Sequence, residues 1–362
     1  MSSTFGEFTA SLLRIDLSTG GTSVETIAES ELEKFIGGTG LGASILYREV
    51  PSGVEWSDPE NRLILGSGPL GGTQIQGSGT FSVITKGCLT NGATSTQANG
   101  HFGAFLRRSG YELVVVQGVA SEWSYLLITD EGVEVRDASK TAGADTWATE
   151  DLIKGEINRK ASEISVFGIG PAGENLVKFS AILGDRGHAA AHNGAGTVVG
   201  SKKLKAVAVV RGKRKVRIKD PNTIARLIPE MREYAARQYP WVYEWGTSML
   251  YSDAALGGWP LVRNLQTSIF PEHEKYLGEY YRPLLEMKRT PCWACPAHHC
   301  HIVKVLHSPY AGYEAEEPEY EAWAAFTSLI DERDHGAAIM LADTADRLGL
   351  DINEAGWVLG LP

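Results

Sequence analysis

The sequence predicts an α+β protein, with a β-rich domain over residues 1–212 and a mainly α-helical domain over residues 213–362. Three observations carry that prediction. Short strand-like runs bounded by glycine recur from Phe5 to about Arg211, a basic run from Lys202 to Lys219 marks a change of texture, and apolar residues beyond it recur at helical spacing. A chain of 362 residues is long enough for two such domains, each with its own core.

The strand-like runs are Leu63-Ile64-Leu65, Phe81-Ser82-Val83-Ile84, Leu113 to Val116, Tyr125 to Ile128 and Ala206 to Val210. All are rich in residues that favour a pleated, buried surface. Helical interludes are expected at about 30–36 and 147–160. In the second half, Asp220-Pro221 supplies an N-cap and a proline at the first helical position, and Ile224, Leu227, Ile228 and Met231 then share one face. Pro318 opens a helix carrying Trp323, Phe326 and Ile330, and another runs from about His335 to Leu348 and stops at Gly349, a C-cap residue. No internal repeat or low-complexity segment is visible.

Hydrophobic content of 43% and charged content of 22% describe an ordinary globular protein. A net charge of −10 argues against nucleic acid as a partner, which would need a basic surface, yet leaves room for a local basic patch that docks an acidic electron carrier. Met1 to Thr9 is polar and no apolar run approaches the roughly 18 residues that span a bilayer, so no membrane association is expected. A cytoplasmic location suits the sparse, unpaired cysteines.

Three of the four cysteines fall in the run Cys292-Trp293-Ala294-Cys295-Pro296-Ala297-His298-His299-Cys300. A C-x2-C turn with a third thiolate close behind brings sulfurs together around one soft metal. An iron–sulfur cluster fits, with Pro296 following a ligand; structural zinc also fits, with His298, His299 or His301 completing a mixed tetrahedron; ordinary buried thiols are the plain alternative. A four-iron cluster normally takes four thiolates, and Cys88 is far off in sequence.

Gly168-Ile169-Gly170-Pro171-Ala172-Gly173 formally matches a dinucleotide fingerprint. Pro171 deletes an amide that a pyrophosphate needs, and Leu176 to Ile182 is β-compatible rather than helical, so a turn between strands is the better reading. The loops Gly66 to Thr73, Thr94 to His101 and His188 to Gly196 bring exposed amides and small side chains to strand ends, which suits a phosphate-bearing cofactor approached by main chain. Asp346 and Asp351 flank a helix end; such carboxylates can accept paired hydrogen bonds from an aminopyrimidine edge, although a solvated helix terminus is the commoner use. Glu321, taken alone, reads as an acid complementing a helix N-terminus.

Together these residues resemble the tungstopterin aldehyde ferredoxin oxidoreductase family. The likeness rests on Ile36 to Gly42, Gly68 to Thr73, Gly170 to Phe179, Gly200 to Ala206, the cysteine run and Pro318-Glu319-Tyr320-Glu321, in that order. The resemblance implies a β-rich domain cradling a tungsten bis-pterin beside a [4Fe–4S] cluster, closed over by helical domains. It places the cluster on Cys292, Cys295 and Cys300, and leaves Cys88 without a ligand counterpart. Pterin and phosphate contacts fall on Thr80, Gln97, Asn99, His188, Ala189 and Ala191, with Gln97 and the Ala189 carbonyl near a bridging Mg2+. The family's pterin clamp D-x-x-G-L-[CD] matches Asp346 to Asp351, and Glu321 takes the place of an active-site glutamate.

There are departures. The last two cysteines have four residues between them where the founding members have three, and His188 and Thr80 replace arginines. Met340 replaces a glutamate that in some members holds an intersubunit iron, so no such iron is expected. Family members continue well beyond Pro362, and that part supplies a second clamp, the fourth cysteine and a histidine near the metal. The activity implied is oxidation of an aldehyde to a carboxylic acid, or the reverse, with electrons passing to ferredoxin or an electron-transfer subunit. A homodimer or larger complex is compatible with it. Two alternatives are a pterin-binding fragment inactive without a C-terminal half, and a relative acting on an aromatic acyl thioester, in which a cysteine stands at the position of Glu321.

Overall fold

The computed structural model describes residues 10–361; segment 1–9, read above as polar, and Pro362 lie outside the described residues. Six strands, β1 (Ala10–Asp16), β2 (Gly21–Ile27), β3 (Leu63–Ser67), β4 (Phe81–Lys86), β5 (Ala93–Ala98) and β6 (Leu113–Gln117), form one sheet in the order β2-β1-β6-β3-β4-β5. Six more, β7 (Ser124–Thr129), β8 (Gly132–Asp137), β9 (Ile164–Gly168), β10 (Ile182–Gly184), β11 (His188–Ala190) and β12 (Leu204–Val210), form a second in the order β11-β10-β9-β12-β7-β8. The pairs β1/β6 and β7/β12 are parallel and the rest antiparallel.

The apolar runs are continuous because the central strands are covered on both faces. In β6, Val114 and Val116 point into the core between the sheets, while Leu113 and Val115 meet Leu41 and Ile45 of the helix Gly38–Glu49. In β12, Val207 and Val209 face the same inner core, and Ala206 and Ala208 pack with Ile153 of the helix Thr146–Ile157. Phe81 of the first sheet and Phe167 of the second meet at 4.7 Å between ring centroids, and Phe102 of the helix Phe102–Ser109 lies 4.3 and 5.6 Å from them.

The second half is helical around an aromatic core. Asp220 caps the helix Pro221–Gln238 by accepting from the Thr223 amide at 3.0 Å, as the Asp-Pro pair predicts. Trp323, on the helix Tyr320–Phe326, packs against Tyr281 at 4.7 Å between ring centroids, and the helix His335–Leu348 ends at Gly349 in the left-handed conformation. A small antiparallel sheet of β13 (Leu285–Arg289), β14 (His301–Val305) and β15 (Glu314–Glu316) also lies here, and the sequence reading did not anticipate it.

Other details differ from expectation. Ile330 lies in a separate 3-10 turn, Ser328–Ile330, because the helix bearing Trp323 stops at Phe326. The stretch Thr94 to Ala98, read as loop, is part of β5, whose ladder to β4 satisfies its backbone despite polar side chains. Within Leu176 to Ile182, only Ile182 enters a strand.

Lys205 of β12 is fully buried and forms an ion pair with Glu174, which also accepts from the Gly143 amide at 2.8 Å. Burial lowers the Lys205 pKa even with that partner. Glu174→Ala would leave a buried ammonium without its counter-charge, and denaturant unfolding should show a loss of about 3–5 kcal/mol. Wild-type stability in that variant would contradict this account of the pair.

Candidate functional site

A cavity of about 410 Å3 opens where the ends of β5 and β11, the start of β14 and the turn after helix His335–Leu348 converge. Gln97, Asn99, His188, Ala189, Ala191, Cys300, Glu321, Asp346 and Asp351 all line it. A second recess of about 540 Å3 shares Gln97 and is edged by Gly37, Gly38, Gly68, Gly71 and Thr80. The three glycine-rich loops therefore meet around two adjacent spaces. Thr80 donates to Asn99 Oδ1 at 2.8 Å, tying the two spaces together.

Asp346 and Asp351 owe their positions to backbone pairing. The Ala181 amide donates to the Gly349 carbonyl at 2.8 Å, the Asp351 amide to Phe179 at 2.9 Å, and Ser180 and Leu350 form an antiparallel bridge. Gly170 makes this approach feasible, since a Cβ there would collide with the Leu348 carbonyl. Of the fingerprint-like glycines, Gly170 thus lets the clamp segment close on the sheet.

The two clamp carboxylates sit in different environments. Asp351 caps the helix Ile352–Leu359 and accepts from the Asn353 amide at 3.0 Å, the His192 amide at 2.9 Å and the His192 ring at 3.1 Å. Burial pushes its pKa up, but the bonds from His192 overcome that and hold it below the ordinary value. The pKa of Asp346 is instead raised well above the usual carboxylate range by removal from water and by the charge of Asp343. Glu316, at the end of β15 on the same cavity, is likewise raised by burial. These two carboxyls favour the protonated form and can donate as well as accept.

The cysteines occupy the hairpin loop 290–300 between β13 and β14. The Cys295 amide closes a turn onto the Cys292 carbonyl at 3.2 Å, and the Trp293 amide anchors the loop to Gly100 at 3.1 Å. Cys292 Sγ lies 2.9 Å from His188 Nε2. Its hydrogen bond with Cys300, together with His188, lowers the Cys292 thiol pKa against the opposing effect of burial, while Cys300, the other half of that pair, is pushed up. Burial works against the Cys295 thiolate, yet a hydrogen bond to His299 brings its pKa below the ordinary value. Among the described residues, two groups of side chains have ligand atoms within 4.8 Å of one another: His188, Cys292 and Cys300, and His299, Cys300 and Glu319; Cys295 falls in neither.

His301 does not join them. Its Nδ1 lies 2.7 Å from Glu317, which also holds Arg282 at 2.7 Å and the Tyr281 hydroxyl at 2.6 Å, so it serves a buried network beneath the hairpin. Of the histidines considered for a mixed sulfur–nitrogen site, His299 is the one that falls in a group of possible ligands. Cys88 is buried elsewhere, its thiol directed at the Lys178 carbonyl at 2.9 Å. Glu321 stands in the first turn of helix Tyr320–Phe326 and is exposed to the cavity.

Sequence reasoning missed Glu316, Glu319, His192 and the pairing of His188 with Cys292. The acidic block Glu314 to Glu321 was the available signal for the first two. The pairing has no local signature, because its partners are 104 positions apart.

Two packed sheets, a thiolate hairpin and a carboxyl-lined cavity make up the site, and comparison with known proteins gives the family. Residues 12–211 match the model described as aldehyde ferredoxin oxidoreductase, N-terminal domain, and residues 224–361 that described as aldehyde ferredoxin oxidoreductase, domains 2 & 3. The chain belongs to the aldehyde ferredoxin oxidoreductase family. It is 36% identical over 351 residues to the tungsten-containing aldehyde ferredoxin oxidoreductase of Pyrococcus furiosus, an alignment covering 96% of this chain and 57% of that protein. To the aliphatic sulfonate oxidoreductase, WOR-like subunit, of the same organism it is 29% identical, over 98% of this chain and 58% of the relative. The active site complex BamBC of benzoyl coenzyme A reductase with 1,5 dienoyl-CoA shares the fold, with a TM-score of 0.84 and 24% identity over 97% of this chain and 54% of that one. The chain spans a little over half the length of these relatives.

The Asp351–His192 pair has a defined pH signature. The folded pKa of Asp351 lies below its unfolded value near 4, so its stabilisation is lost as pH falls through the folded value. That of His192 is raised above an unfolded value of about 6.5, so its share is lost as pH rises through the folded value. Asp351→Asn keeps the cap but removes the charge, and the stability difference from wild type should be largest between about pH 5 and 6.5. Denaturant unfolding across pH checks this; a pH-independent difference contradicts it.

Proposed function

We propose that this chain forms the pterin- and cluster-binding part of a tungsten oxidoreductase that interconverts an aldehyde and a carboxylic acid. The observation that carries the reading is the convergence on one cavity of Gln97, Asn99, His188, Cys300, Glu321 and Asp346, drawn from both halves of the chain. The donor set suits the groups. Clustered thiolates suit an iron–sulfur cluster, glycine-edged recesses suit phosphates, and the carboxyls of Asp346 and Glu316 suit the aminopyrimidine edge of a pterin. When bound, a tungsten bis-pterin supplies the two-electron chemistry and a [4Fe–4S] cluster the one-electron exit.

On this reading Cys292, Cys295 and Cys300 hold the cluster. Gln97 and the Ala189 carbonyl hold Mg2+, and Thr80, Asn99, His188 and Ala191 position phosphate and pterin. Asp346, with Asp351, clamps the ring. Glu321 faces the substrate space, where its carboxylate holds a proton or takes one from the attacking water, and orients the aldehyde oxygen. A small aldehyde or carboxylic acid is the substrate class, with a carboxylate at Glu321 favouring this over an aromatic acyl thioester. Ferredoxin or an electron-transfer subunit receives the electrons, alone or within a homodimer or larger complex. A cytoplasmic setting accords with four free cysteines, and no helix among the described residues is long and apolar enough to cross a membrane.

Metal analysis of the anaerobically purified protein tests this first. Tungsten with about four irons per chain is the expected result. Zinc alone contradicts it, and a metal-free protein favours an accessory pterin-binding module. Glu321→Gln should then lower kcat by about 10²–10⁴-fold with metal content unchanged; a wild-type kcat in that variant removes Glu321 from the chemistry.

A further inference from the structure

The thiolate hairpin has an outer side that the cavity does not use. Cys292, Cys295 and Trp293 line a surface groove of about 480 Å3 together with His101, His298 and Arg232. The two thiols and the indole are only partly buried, so a partner protein can approach them closely there.

Positive charge is concentrated around that groove. Six of the nine residues Arg211–Lys219 are lysine or arginine, in a chain whose net charge is −10. This connector leaves β12 and runs outside the hairpin: the Arg211 guanidinium lies 5.2 Å from the centre of the Trp293 ring, and Val216 reaches Gly72, next to the Thr73 carbonyl that accepts from the Trp293 indole at 2.7 Å. It leads into helix Pro221–Gln238, which carries Arg232 to the groove. Burial and the nearby charge of Arg211 both lower the pKa of Arg108, so like charges crowd here. Asp130 lies beside the connector, accepting from the Lys213 amide and, through its carbonyl, from Arg214, and the buried Asp185 lies 3.7 Å from His101 of the groove. Apart from Val216 and Gly212, the connector side chains from Arg211 to Lys219 are exposed.

We propose that Arg211–Lys219 and Arg232 form the docking face for a small acidic electron-carrier protein, seated over the groove at Cys292 and Cys295. The charge complementarity selects an acidic partner and steers its encounter. The proposal rests on the cluster reading above. In each encounter the reduced cluster loses one electron, and the oxidised carrier, an acidic iron–sulfur protein of ferredoxin type, gains it.

The test is stopped-flow oxidation of the reduced holoprotein by such a carrier, with a small uncharged quinone as the comparison oxidant. The carrier rate should fall about tenfold or more as ionic strength rises, and Lys213→Glu with Lys215→Glu should lower the low-salt rate by a similar factor. The quinone rate and thermal melting should stay unchanged. With iron present, an unaltered carrier rate in the charge-reversed protein overturns the docking face alone. A holoprotein without iron overturns the cluster reading and the proposal together. Charge-sensitive binding of duplex DNA, with a carrier rate indifferent to the substitutions, also overturns it.

Discussion

The site depends on one short stretch of backbone pairing, that of Phe179 to Ala181 with Gly349 to Asp351. These hydrogen bonds fasten the end of a helix in the second half onto the β-rich first half, and the cavity is the space left beside the seam. Two glycines permit the contact. Gly349 takes the left-handed conformation that ends the helix, and Gly170 leaves room for the Leu348 carbonyl. Thr146 adds a bond from its hydroxyl to the Asp346 carbonyl at 2.9 Å. Asp346 is thus fixed through its main chain, which keeps its side chain for the cavity.

Electrostatics divide the cavity wall into two regimes. On the hairpin side, His188 and His299 lie against Cys292 and Cys295 and favour the thiolate form of those two sulfurs, while Cys300, hydrogen-bonded to Cys292 and buried, is pushed towards the thiol. On the clamp side, loss of solvent shifts both Asp346 and Glu316 towards the neutral carboxylic acid, Asp346 with help from the charge of Asp343 and Glu316 against the opposing charge of His188. His188 stands between the regimes, with Nε2 on Cys292 and a buried Nδ1 that lacks a hydrogen-bond partner among the described residues. Such an atom normally finds its partner in a ligand or water. Its place on the cavity wall accords with the cofactor contact that the family resemblance implies for it.

Much of this was legible in the sequence, for identifiable reasons. β3, β4, β6, β7 and β12 read clearly because strands covered on both faces need unbroken apolar runs. β5 was hidden by its composition, Ala-Thr-Ser-Thr-Gln-Ala, because its stability lies in the ladder to β4. The helix Gly38–Glu49 was not anticipated, because the glycines at 38, 40 and 42 are poor helix formers. The small sheet under the cysteines was missed because its strands mix charged and apolar residues and are joined by an eleven-residue loop, 290–300. At the site, motif resemblance picked out Gln97, Asn99, His188, Ala189, Ala191, Cys300, Glu321, Asp346 and Asp351, which line the cavity, while Thr80 edges the second recess and Cys292 and Cys295 face the outer groove. The resemblance set Cys88 apart from the ligands but could not show that Asp351 is already engaged by His192, or that His301 serves a buried network with Glu317, because those facts arise from side-chain contacts that no motif encodes.

The central claim is that the hairpin thiolates share one iron–sulfur centre. Electron paramagnetic resonance of the dithionite-reduced protein tests it most directly. The account predicts a [4Fe–4S]+ signal that is lost or altered in Cys300→Ser and unchanged in Cys88→Ser. A signal that survives unaltered in Cys300→Ser, or disappears in Cys88→Ser, would contradict it.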